Sequence, residues 1–440
     1  MSAEKRVLKL VLSMTKMNRP FVLREIYGDD VFRAVRCLVD KIGDPLIGER
    51  CFDNEKNDYF DAVCKMAANA EKLGTAGNPW LLWLAKLFSE TEMQFALAHE
   101  RMAHVSGSLK TIILEELEDF VKYISLDFRK VDEFTETGYF SKIADFKPLH
   151  ENKSGTSLRI TILADNIGSA KSAQELYVVL EKFYASFGVG QYAAYNAFRW
   201  DKNARAIVPV TNTEKVALSD IIGYDEQKQL LCDNTEAFVE GRPANNVLLY
   251  GESGTGKSTS IKAIMNEYAE RGLRVVEVYK HQIEDLDEII SIIKNRNYRF
   301  ILFMDDLSFE QFEIEYKYLK SFIEGGLEKR PDNVLIYATS NRRHLMKESW
   351  KDKEDMQEDM HESETMQEKM SLVDRFGLLI RYISPAQREY LNIVHALAAE
   401  YGIEVNEELD HGAIRWELQH GGFSGRAARQ FVEHAAGKKK

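Results

Sequence analysis

The stretch Gly251-Glu252-Ser253-Gly254-Thr255-Gly256-Lys257-Ser258 constrains this chain more than any other. Four apolar residues, Val247, Leu248, Leu249 and Tyr250, lead into it, and a run of helical composition from Thr259 to Ala269 follows. That context predicts a buried parallel strand, a tight glycine turn and a helix. A turn of this kind lets consecutive backbone N–H groups point inward at phosphate oxygens, and the helix adds its positive N-terminal dipole. Lys257 is placed to reach β- and γ-phosphates, and the Ser258 hydroxyl to sit on Mg²⁺. The expected nucleotide contacts are Gly251, Glu252, Ser253, Gly254, Thr255, Gly256, Lys257, Ser258 and Thr259, with ATP and Mg²⁺ as cofactors.

At 440 residues, 45% hydrophobic and 29% charged, the chain is long enough for two or three domains with sizeable cores. A formal charge of −12 disfavours whole-surface attraction to nucleic acid and leaves a local basic patch open. The terminal Lys438-Lys439-Lys440 reads as a frayed tail. Cys37, Cys51, Cys64 and Cys232 have no metal-type or CxxC spacing, which fits free thiols in a reducing compartment. The ten histidines show no metal-ligand pattern and are read as structural or surface residues. Near the N-terminus, Lys5 and Arg6 precede a short apolar run, but Lys9 interrupts it and no small-residue cleavage site follows. No run approaches 18 apolar residues, so no membrane span is expected and the chain is read as cytoplasmic.

Residues up to about 200 read as helical. Leu109, Ile112, Ile113, Leu117, Phe120, Val121 and Ile124 recur at three- and four-residue steps, with Glu115, Glu116, Glu118 and Lys122 outside the stripe. Leu176, Val179, Leu180, Phe183 and Phe187 form another stripe. Asn78-Pro79 marks a helix start, and the aromatics after it, Trp80 and Trp83, are read as core, with a partner groove as the alternative. Residues 1–205 are therefore assigned to a mainly helical accessory domain that recognises an unknown protein client. The pattern loosens between Asp201 and Thr213, where the boundary is placed.

Residues 206–384 are assigned to an α/β core with a parallel sheet. Arg299-Phe300-Ile301-Leu302-Phe303-Met304 is a buried strand that delivers Asp305 beside the magnesium at the edge of the loop. Asp306 follows, where a carboxylate that orients attacking water is expected; Glu310, one turn later, is the alternative. Asn333 to Ala338 forms a further strand ending in Thr339-Ser340-Asn341-Arg342-Arg343. Residues 351–370, rich in Lys, Asp, Glu, Met and Gln, are expected to form a mobile acidic insert, or else a methionine-lined partner surface. Residues 385–440, opened by Pro385, read as a helical lid.

This order of loop, intervening strand and helix, Asp strand and polar-tipped strand resembles the AAA+ ATPases. The resemblance implies that Asn341, with Thr339 second, holds water and γ-phosphate. It implies that Arg375, in Asp374-Arg375-Phe376-Gly377 ahead of the last core strand, projects into a neighbouring subunit's site, making the protein a homo-oligomer. Arg426 in Ser424-Gly425-Arg426-Ala427-Ala428-Arg429-Gln430 becomes the lid arginine over the γ-phosphate, with Arg429 the alternative. A segment at the distance of Ile221, Ile222 and Tyr224 packs on adenine in many P-loop ATPases, which assigns Ile222 to the nucleotide; simple core packing is the competing reading. Together with Pro243-Ala244-Asn245-Asn246, Asp305 to Glu310 and Tyr337 to Leu345, these segments resemble a bacterial family of predicted AAA+ ATPases classed as a domain of unknown function. The likeness covers about residues 214 to 436 closely and the N-terminal half more loosely. Asp306 in place of Glu departs from AAA+ proteins in general and resembles that family's own pattern.

The sequence thus predicts an AAA+-type ATPase that hydrolyses ATP to drive conformational change in an unknown client. Two rivals stand beside it: an ATP-dependent switch or scaffold with little hydrolysis, motivated by Asp306, and a small-molecule kinase, which gives no reason for Asn341, Arg375 and Arg426.

Overall fold

A computed structural model of the protein describes residues 20–43, 53–101, 106–152, 155–309, 314–324, 331–341, 345 and 372–438. The N-terminal apolar run, Cys51, Glu310, Arg342, Arg343 and the acidic insert at 351–370 lie outside the described residues. The chain divides into two compact units, Met1–Ala194 and Tyr195–Lys440.

The described part of the first unit is helical: α1 Arg24–Gly28, α2 Asp30–Gly43, α3 Asp53–Leu73, α4 Pro79–Glu90, α5 Gln94–Glu100, α6 Ser108–Ile124, α7 Phe128–Thr135, α8 Gly155–Ser169, α9 Ala173–Phe187 and α10 Gln191–Ala194. Helix α4 starts as Asn78-Pro79 dictates, the Asn78 side chain accepting the Trp80 N–H at 2.9 Å. Its aromatics are core: Trp80 is buried and its Nε1–H donates to the Tyr123 carbonyl at 2.9 Å. The α6 stripe buries Ile113, Leu117, Phe120 and Ile124, and Phe120 stacks on Phe32 with ring centroids 5.2 Å apart. Glu116, outside that stripe, accepts the N–H groups of Val22 and of Leu23, the residue that opens α1, and so satisfies donors at the start of that helix.

The second unit contains a seven-stranded sheet: β1 Ala197–Asp201, β2 Ala206–Pro209, β3 Val247–Gly251, β4 Leu273–Glu277, β5 Arg299–Met304, β6 Val334–Ser340 and β7 Leu378–Tyr382. The strand order is β2-β1-β4-β5-β6-β3-β7. Every pairing is parallel except that of β1 with β2. The near-continuous apolar runs of β3 and β5 follow from burial on both faces. On one face, Val247, Leu249, Val275, Ile301, Tyr337 and Tyr382 share a core with Leu231 and Phe238 of α11 (Asp225–Val239) and Ile261 and Ile264 of α12 (Lys257–Tyr268). The alternate residues Leu248, Val276, Phe300, Leu302 and Ile336 are buried as well. Helices α13 (Leu286–Ile293) and α14 (Ile314–Glu324) complete the described α/β part.

The loosened segment after Asp201 is therefore a hairpin of this sheet, and the division between units lies upstream of the boundary expected at 205. Asp201 accepts the N–H groups of Asn203 and Ala204 at the turn, and Arg205 forms a bidentate pair with Glu288 of α13. These contacts pin strands too short and too polar to announce themselves by pattern.

Three helices end the unit: α15 Gln387–Glu400, α16 Glu407–His420 and α17 Gly425–Lys438. Tyr390, Val394, Leu409, Ala413, Ala428 and Val432 form their own core, against which Ile222 packs. Asn406 caps α16 and Gly421 ends it in the left-handed region, as a short helical hairpin requires. Among the described residues no helix is long and apolar enough to cross a membrane.

Trp80→Ala removes the largest fully buried side chain among the described residues of the first unit and leaves Phe32 and Phe128 around a void. We expect a loss of about 3–5 kcal/mol of that unit's stability by denaturant unfolding; a loss below 1 kcal/mol would contradict this packing.

Candidate functional site

The chain leaves β3, crosses to β4, returns through β5 and β6 to one side of β3, and then passes to β7 on its other side. The strand order reverses about β3, and in open α/β sheets ligands bind beyond the carboxyl ends of strands at such a point. The glycine loop stands there. Beside it opens a cleft of about 940 Å³, large enough for a nucleotide. Ser253 through Thr259, Asp305, Asp306, Asn341, Ile222 and Arg426 all border it, so most of the predicted site converges.

The loop is shaped by its neighbours. A Cβ at Gly251, where φ is +138°, would stand 1.8 Å from the Tyr382 carbonyl oxygen, so only glycine lets β3 turn this close to β7. Gly256, also left-handed, starts α12, whose first turn carries Lys257 and Ser258. Lys257 is only 6% exposed. Its ammonium donates to the Gly251 and Glu252 carbonyls at 2.9 and 2.6 Å and to Asn341 Oδ1 at 3.0 Å. Burial pushes its pKa down, and the nearby Asp306 and Asp305 carboxylates oppose that shift.

Ser258 Oγ donates to Asp305 Oδ1 at 2.5 Å, and the Thr339 hydroxyl donates to the same oxygen at 2.6 Å. Thr339 in turn accepts the Asp306 N–H at 2.9 Å, holding Asp306 in a left-handed backbone conformation, φ +50°. Asn341 Nδ2 donates to Asp306 Oδ1 at 2.7 Å. Lys257, Asn341, Asp306, Thr339, Asp305 and Ser258 thus form one connected polar chain across the tips of β3, β5 and β6. Register explains it: Leu249 pairs with Thr339 and Met304 with Ala338, which brings the three tips level.

Among the described residues no group of three or more His, Cys, Asp or Glu could hold a metal. One carboxylate and one hydroxyl, Asp305 and Ser258, suit Mg²⁺, which keeps several waters and takes its remaining ligands from phosphate. Arg426 and Arg429 at the start of α17 both border the cleft, so the two candidates for the lid arginine stand together. Ile221, Ile222 and, from α15, Ile393 and Leu397 also line the cleft.

Three predicted residues, Gly251, Glu252 and Arg375, do not border the cleft. The Glu252 N–H donates to the Tyr382 carbonyl at 3.3 Å and its carboxylate accepts the Ser384 hydroxyl. Arg375, exposed, precedes β7 at the end of the sheet away from the loop, as the pairing of Leu378 with Val247 requires. It is absent from this chain's own cleft. Thr339, the second candidate for γ-phosphate, also borders the cleft, and its hydroxyl is bonded to both aspartates. Sequence reasoning missed Lys215 and Lys262, which border the cleft without any motif, Lys262 paired with Glu214 at 3.1 Å.

Residues 193–439 match a family described as a protein of unknown function, DUF815. The replication factor C large subunit of Methanococcus vannielii is 32% identical over 77 residues, 18% of this chain and 15% of that protein. The Staphylothermus marinus counterpart is 30% identical over 87 residues, 20% of each. Among solved structures, the Thermotoga maritima RuvB Holliday junction branch migration motor is 17% identical, with a TM-score of 0.35, over 49% of this chain and 63% of that one. The chain thus spans a fifth or less of the curated relatives it matches. The second unit has the α/β architecture that the sequence predicts, a largely parallel sheet with the glycine loop between β3 and α12 and with C-terminal helices.

Thr339→Val keeps the volume and deletes the hydroxyl that joins the two aspartates, leaving the Asp306 N–H without its acceptor. We expect the second unit to lose about 1–3 kcal/mol in thermal unfolding, with Thr339→Ser close to the parent; equal losses in both variants would mean the methyl, not the hydroxyl, matters.

Proposed function

This chain belongs to the family described as a protein of unknown function, DUF815, and from that premise we propose that its second unit hydrolyses ATP to ADP and phosphate with Mg²⁺ to drive conformational change in a client. The observation that carries the proposal is the polar chain from Lys257 to Ser258 at the mouth of a nucleotide-sized cleft.

The base would lie against Ile221, Ile222, Ile393 and Leu397, where apolar contact is available. The phosphates would run along the loop to the N-terminus of α12, whose free N–H groups and dipole favour anions. Lys257 would exchange Asn341 Oδ1 for a phosphate oxygen without moving far, since its other acceptors belong to the loop. Ser258 and Asp305 would hold Mg²⁺, which neutralises charge on the β- and γ-phosphates. A water positioned by Asn341 and Asp306 would attack the γ-phosphorus while the bond to the β–γ bridging oxygen breaks; its electron pair stays on ADP and the water's proton passes to Asp306. Arg426 or Arg429 would meet the γ-phosphate from the lid.

Arg375, away from its own cleft, is suited to serve a neighbouring copy, which makes a homo-oligomer part of the proposal. The first unit is assigned to client recognition, and the setting to the cytoplasm. A second reading, an ATP-gated switch with little turnover, draws on one observation: the Asn341 amide already occupies an Asp306 oxygen.

Steady-state phosphate release and fluorescent-nucleotide binding separate the readings. Lys257→Ala should weaken ATP binding roughly ten- to hundredfold, Asp306→Asn should keep binding and lower turnover roughly 10²–10⁴-fold, and chelation of Mg²⁺ should stop turnover. Wild-type turnover no higher than that of Lys257→Ala would leave only the switch.

A further inference from the structure

The phosphate loop carries an acidic residue, and a carboxylate beside a triphosphate is electrostatically costly. Glu252 Oε2 is turned away, onto the hydroxyl of Ser384. Ser384 lies two residues beyond β7 and directly before Pro385, where the chain leaves the sheet for α15. A residue before proline is restricted to extended conformations, so Ser384 presents its hydroxyl from a stiff segment. The same junction grips the loop through backbone: the Tyr382 carbonyl accepts the Glu252 N–H and leaves no room for a Cβ at Gly251. It is itself anchored from α11 and the turn before it, Tyr224 Oη donating to the Ile383 carbonyl at 2.7 Å and Gln227 Nε2 to the Arg381 carbonyl at 3.1 Å.

The far half of the loop is held by the other end of the lid. The Gly254 carbonyl accepts the Arg426 N–H at 3.2 Å, and a Cβ at Gly254 would stand 3.1 Å from both Arg426 Cβ and Ser424 Oγ. Residues 252 to 254 are therefore spanned between the entry of the helical lid and the first turn of its last helix. A movement of the lid relative to the sheet must strain or break one of these attachments.

We infer that Glu252 is a lid-controlled positioning residue: Ser384 holds its carboxylate off the phosphates when the lid is seated, and release of that contact turns the carboxylate toward bound nucleotide and speeds its departure. The inference rests on the nucleotide-binding reading above and adds a means of regulating it. Uncompensated charges about 6 Å apart near a protein surface interact strongly enough to change a dissociation rate severalfold. The device explains why a loop built to bind anions tolerates a carboxylate: its charge is useful only when displaced.

The test is a double-mutant cycle on the dissociation rate of a fluorescent ADP derivative with Mg²⁺, using the full chain. Ser384→Ala should speed dissociation roughly fivefold in the parent, Glu252→Gln should slow it, and Ser384→Ala added to Glu252→Gln should have no further effect. Ser384→Thr, which keeps the hydroxyl, should restore the parent rate. An equal effect of Ser384→Ala in both backgrounds would overturn the inference, because it would show that Ser384 acts through packing and not through the carboxylate. Failure of the parent to bind the ADP derivative at all would instead count against the nucleotide reading itself.

Discussion

The second unit depends on keeping an ammonium almost entirely inside protein. Lys257 is 6% exposed, and a charge so placed must be surrounded by acceptors or given up. Two loop carbonyls and Asn341 supply them, and Asp305 and Asp306 offset the burial that pushes its pKa down. Satisfying one buried cation therefore fixes the glycine conformations of the loop, the register that levels β3, β5 and β6, and the orientation of Asn341. In the function proposed above, phosphate would replace a weak neutral acceptor of this ammonium by a charged one.

Much of this was legible in the sequence because it is local. The loop lies between a strand run and a helix run, and each of Asp305, Asp306 and Asn341 stands within two residues of a strand end. Strands buried on both faces leave continuous apolar runs, so β3, β5 and β6 could be marked from Val247, Phe300 and Val334 onward. The stripes of α6 and α9 and the cap at Asn78 were equally plain.

What escaped depends on pairing between distant segments. The β1–β2 hairpin is short, and its turn, Lys202 to Arg205, reads as a linker until Glu284 and Glu288 are seen opposite Lys202 and Arg205. The bond from the Asp306 N–H to the Thr339 hydroxyl joins residues 33 positions apart. Glu252 looked like part of the cradle because its partner, Ser384, is 132 positions along the chain. Only the register of β7 against β3 brings Ser384 to the Glu252 side chain.

The central claim is that this polar chain performs chemistry on a bound triphosphate. A single-turnover assay, with protein in excess over Mg²⁺-ATP labelled at the γ-phosphate, tests it most directly because it separates cleavage from product release. The expected result is a first-order burst of phosphate in the parent, and in Asn341→Ala unchanged capture of the label with cleavage slowed by roughly tenfold or more. Cleavage at the same rate in both proteins, or capture without cleavage in the parent, would contradict it.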